Sequence, residues 1–68
     1  MVKFAVQTAN KAIGLKPDLA AAYFVRGWAR NLEKPGSDAA LADVKKSAEL
    51  APSDPLFLEA VRYLSGLR

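Results

Sequence analysis

The chain repeats itself at a spacing of 35 residues, and that spacing limits the folds open to it. The run AVQTANKAIGLKPD, starting at Ala5, overlies ALADVKKSAELAPSD, starting at Ala40. Ala5 falls on Ala40, Val6 on Leu41, Ala9 on Val44, Leu15 on Leu50 and Pro17 on Pro52. Repeats of this size are built as stacked helical hairpins, because one hairpin cannot bury its apolar face alone.

Prolines and glycines mark where the helices stop. The breaks are Pro17, the Pro35-Gly36 pair, and Pro52 with Pro55. Between them the segments are rich in Ala, Leu, Lys, Arg and Glu, which favour helix. No segment alternates strictly between apolar and polar residues, so strands are not expected. The first helix is predicted from Val2 to Leu15, with Ala5, Val6, Ala9, Ala12 and Ile13 on its buried face. The second is predicted after Asp18, read as its N-cap, and runs to about residue 32. The third follows Ser37, with Asp38 in its first turn, and buries Ala40, Leu41, Val44 and Ala48 before ending near Leu50. The fourth starts at Asp54-Pro55, a cap followed by proline, and ends near Gly66. The links are short, so successive helices must run antiparallel.

At 68 residues the chain is one domain. A domain of this size buries only ~60% of the surface its unfolded chain exposes, so its core is marginal without staples or partners. It has no cysteine and no histidine. Disulfides are therefore excluded, and the commonest metal ligand and general base are missing. A lack of cysteine fits the cytoplasm. No apolar run is long enough to span a bilayer, and MVKF gives way to the polar QTANK without a signal-peptide core. The net charge of +3 comes from ten basic and seven acidic residues. The basic residues are spread along the chain, whereas a nucleic-acid binder clusters them on one face. No glycine-rich phosphate loop or paired-carboxylate motif is present, and Ser37, Ser47, Ser53 and Ser65 read as caps or packing residues. The expectation is a protein without enzymatic activity, cofactor or metal.

The repeat resembles the tetratricopeptide repeat, whose pattern of about 34 residues reads W-x2-L-G-x2-Y, then A-x3-F, then P. Tyr23 stands at the Trp position, Gly27 at the Gly, Ala40 and Val44 at A-x3-F, and Pro52 at the closing Pro. Arg26 and Arg30 replace the motif's Leu and Tyr, and Ser47 replaces a second small alanine. The resemblance implies an all-α fold of about four helices, with antiparallel hairpins stacked into a right-handed superhelix. Residues 1–16 would be the second helix of a preceding repeat, 20–53 one full repeat, and 54–67 a capping helix. Arg62 at the fourth helix's glycine position would keep a further hairpin from packing there.

The segment AAAYFVRGWAR has several faces. Ala22, Gly27, Ala29 and Ala40 are small residues that let helix backbones approach, and Tyr23 reads as core. Arg26 lies on the side facing the third helix. In tetratricopeptide repeats an arginine there accompanies an aspartate on the same hairpin, which implies a pair with Asp43. Phe24 and Trp28, with Asn31 and Ala21, match positions that line the family's peptide-binding groove. Members that clamp a carboxylate hold Lys and Asn there. Here only Asn31 is polar, so an apolar peptide or helix is the expected ligand. Covering both aromatics would contribute roughly 5 kcal/mol gross. The alternative is that the first or fourth helix covers them as ordinary core. The fourth helix adds two apolar stripes, Phe57, Val61 and Leu64 against Leu56, Tyr63 and Leu67, and a small monomer cannot bury both. The expected function is a protein–protein interaction module or scaffold. Homodimerisation is the alternative, and nucleic-acid binding, resting on charge alone, is a distant third.

Overall fold

The computed structural model describes residues 2–67. Among these the chain is all-helical, with α1 at Val2–Leu15, α2 at Ala20–Glu33, α3 at Asp38–Leu50 and α4 at Pro55–Gly66. No strand occurs among the described residues. The molecule is flat, 31 × 28 × 15 Å. It is flat because α1 packs on α2, α2 on α3 and α3 on α4 in chain order.

Each link has a local cause. Ser37 caps α3 by accepting from the Ala40 N–H at 3.1 Å. Asp54 caps α4 by accepting from the Leu56 N–H at 2.9 Å, with Pro55 in the first turn, where its missing N–H leaves nothing unsatisfied. Asp18 does not cap α2. The N-cap is Leu19, which makes no side-chain cap bond. The reason is the turn before it: the Leu19 N–H donates to the Lys16 carbonyl at 3.2 Å. Asp18 is exposed inside that turn, one residue before the N-cap position from which a side chain reaches the free amides of α2. Gly36 has φ +75°, and the Leu67 carbonyl oxygen lies 3.1 Å from where a Cβ would stand. Both facts require glycine there.

The core is built where α3 lies between α2 and α4. Ala40, Leu41, Val44, Ala60 and Leu64 form one buried cluster, with Phe24 and Val61 packed against it. Gly27 sets the spacing of α2 and α3. A Cβ at Gly27 would lie 2.9 Å from Asp43 Cβ and from Val44 Cγ1, and 3.0 Å from the Ala40 carbonyl oxygen. Ala9, Ala22 and Ala29 are buried on the α1 and α2 side. Ser47 is buried without loss because its hydroxyl donates to the Val44 carbonyl at 2.7 Å. Of the two α4 stripes, Phe57 and Leu64 are buried and Val61 is half-buried. Leu56, Tyr63 and Leu67 stay exposed.

Candidate partner-binding face

Two polar-to-apolar arrangements flank α2, and only one faces outward. On the side toward α3, Arg26 and Arg30 converge on Asp43. Arg26 Nε donates to Asp43 Oδ2 at 3.0 Å and Nη2 to Oδ1 at 2.7 Å, a two-point fork. Arg30 Nη1 donates to Asp43 Oδ2 at 2.9 Å. The remaining Arg26 nitrogen, Nη1, donates to Asn10 Oδ1 of α1 at 2.8 Å. The Asp43 side chain is only 7% exposed, so its charge needs these partners. The hydrogen bond to Asp43 holds the Arg26 guanidinium above its ordinary value, opposed by burial, and it stays charged. Arg26 also lies over the Tyr23 ring, 5.4 Å from its centre, and Tyr23 is half-buried there. One cluster therefore ties three helices together. Arg30 belongs to it because it follows Arg26 by one turn, a spacing visible in the sequence. Asn10 lies on another helix and carries no local signal.

On the opposite side the aromatics form a row. Phe24 stacks on Trp28 with ring centres 6.0 Å apart. Phe57 of α4 sits 5.2 Å from Phe24, and Tyr63 sits 5.8 Å from Trp28. The fourth helix covers the two residues unequally. Phe24 is half-buried and joins the core, whereas Trp28 is 36%, Leu56 56% and Tyr63 57% exposed. Phe24, Trp28, Leu56, Ala60 and Tyr63, with Glu59 at the rim, line an open groove of about 280 Å³. A wider depression of about 490 Å³ lies along α4 beside Leu58, Val61 and Arg62, but it contains no aromatic residue.

Ala21 is exposed on the same face as Trp28. Asn31 is not available there. It is 7% exposed, and its Oδ1 accepts the Gly36 N–H at 2.9 Å, so it braces the turn between α2 and α3. Ala40 is wholly buried, Gly27 is buried, and Pro52 is exposed in the turn after α3. Val25 and Leu32 were missed by sequence reasoning. They are 46% and 64% exposed, and with Ala21 and Trp28 they make a stripe at 21, 25, 28 and 32 without a charge. Their helical spacing was the available signal.

Among the described residues no three acidic, His or Cys side chains group as a metal set, and no helix is long and apolar enough to cross a membrane. Comparison with protein-family models, curated proteins and solved structures finds no match for this chain.

Proposed function

We propose that the chain is a non-enzymatic protein–protein interaction module of the tetratricopeptide-like type, taking an apolar helix or extended apolar peptide on the face formed by α2 and α4. The observation that carries this is the exposed aromatic row. Trp28 and Tyr63 lie side by side in a groove, flanked by Leu56 and the uncharged α2 stripe. Apolar surface of this kind is costly to leave in water, and aromatic residues lining a groove are the usual anchors of a protein interface. The Arg26–Asp43–Arg30 cluster supports the face from behind without contributing to it. Both Asp43 carboxylate oxygens are engaged, so it serves to fix how the helices pack.

A phage-displayed library of amphipathic helical peptides tests this reading. Selected peptides should shift Trp28 fluorescence to the blue on binding, and Leu32→Glu or Tyr63→Glu should abolish capture. Failure to select any peptide, or capture indifferent to both changes, would overturn it.

A further inference from the structure

We propose that the occupant of this face is a second copy of the chain, arranged about a two-fold axis parallel to the helices, so that α1 of each copy lies on α4 of the other. This rests on the reading of the face as a protein-binding surface and names its partner.

The apolar face continues onto α1. Phe4 is 72% and Leu15 81% exposed, and Thr8 and Lys11 lie between them on the same side of the helix. Asn10 bonds Arg26 and so marks the other edge of α1, toward α3. Ala9 is buried and Ala5 and Ala12 are half-buried beside it, which turns that side of α1 toward α2, the helix it packs on. The stripe of Phe4, Thr8, Lys11 and Leu15 therefore lies on the same side of the layer as Trp28 and Tyr63. Across that side the order is α1, α2, α4.

The size fits a dimer. Seven large apolar side chains on the three helices, and Leu67 just past the end of α4, are exposed here. They present roughly 900 Å², close to the ~800 Å² each partner buries in a standard interface. The whole molecule exposes 4422 Å². A patch covering about a fifth of it exceeds the few hundred Å² usual on a monomer.

The charges and directions fit as well. Successive helices alternate, so α1 runs antiparallel to α4. A two-fold along the helices preserves direction and sets α1 antiparallel to α4 of the other copy. Phe4 to Leu15 spans the same number of residues as Leu56 to Leu67. Overlaid antiparallel, Phe4 meets Leu67 and Leu15 meets Leu56. Lys11 then falls opposite Ala60, about 1.5 Å of helix rise from Glu59. Lys11 is the charged residue of the α1 stripe, and Glu59 is the charged residue of the groove. The match occurs twice by symmetry. Among the described residues Glu59 pairs with Arg62, at 3.5 Å with both side chains mostly exposed, a solvated pair that yields readily. On the axis, α2 meets its own copy. A charge on its stripe would face itself, and the stripe carries none.

Sedimentation equilibrium on the full chain tests this. A reversible dimer of the 7.3 kDa chain is expected. Lys11→Glu and Glu59→Lys should each weaken it about tenfold, and the double change should restore it to within about twofold. Both positions are exposed, so far-UV circular dichroism should be unchanged in all three variants. A chain that stays monomeric at millimolar concentration yet still captures selected peptides would overturn the second copy as partner and leave the reading of the face standing. A dimer indifferent to these charges but broken by Leu32→Glu would overturn the arrangement. A dimer indifferent to Leu32→Glu as well would lie elsewhere and overturn both.

Discussion

Replacing Gly27 by alanine puts two opposing effects in one atom. In an exposed helix interior the change would stabilise by about 1 kcal/mol. Here the new Cβ would stand 2.9 Å from Asp43 Cβ and Val44 Cγ1 and 3.0 Å from the Ala40 carbonyl oxygen. Carbon atoms in good contact sit roughly 3.5–4.0 Å apart, so α2 and α3 must separate by several tenths of an ångström. None of the three atoms is the loose end of a side chain. Asp43 is held by two arginines, and Val44 is wholly buried. Overpacking of this kind costs about 1–3 kcal/mol, and the upper part of that range applies where nothing can yield. The net loss should be about 1–2 kcal/mol in a domain whose total stability is on the order of 3–10 kcal/mol. Urea denaturation followed by circular dichroism at fixed protein concentration measures it, with Gly14→Ala as control. Gly14 has nothing within 4 Å of its missing Cβ, so that change should stabilise. If both substitutions stabilise by similar amounts, the close approach of α2 and α3 is not what Gly27 is for.

The arginine pair on Asp43 should behave as a unit. Arg30→Leu should cost more in an Arg26→Leu background than alone, because only the double change leaves the buried carboxylate unpaired; additive losses in a denaturation cycle would remove the cluster from the account. Arg26→Leu and Asp43→Leu should likewise couple, with the double variant recovering part of the summed loss. Ser37→Ala and Asp54→Ala should each lower stability by about 1 kcal/mol, whereas Asp18→Ala should change it by less than about 0.5 kcal/mol, all read from thermal melts. Asn31→Ala should cost about 1 kcal/mol through the lost Gly36 bond and leave peptide capture unchanged, which separates a brace from a ligand contact.

The helix boundaries were legible because the breaks are chemical. Proline and glycine interrupt backbone bonding wherever they stand, and Ser37 and Asp54 cap the helices they precede. Asp18 misled because a turn bond from Leu19 to Lys16 decides which residue starts α2, and sequence does not display such bonds. The Arg26–Asp43 pair was expected from the resemblance and is present; Arg30 follows Arg26 by one turn, a spacing the sequence shows, while Asn10 required the packing of α1 on α2 to bring it in. Asn31 was placed with the groove residues because it shares their side of the helix and matches a groove position in the resemblance. It lies near the end of α2, where its amide is in reach of the Gly36 N–H, and an intramolecular bond engages it. Phe24 and Trp28, one turn apart, were treated alike. The single ring of Phe57 decides between them, filling the space beside Phe24 and leaving Trp28 beside the half-exposed Tyr63.

Whether a copy of the chain covers the face of α1, α2 and α4 can be read from two-dimensional amide NMR recorded from high concentration to low. Dilution should move the signals of Lys11, Val25, Trp28, Leu32, Glu59 and Tyr63 together along one binding curve, while Lys45 and Glu49 on the exposed side of α3 stay fixed. Spectra that do not change with dilution, or changes centred on α3, would contradict it.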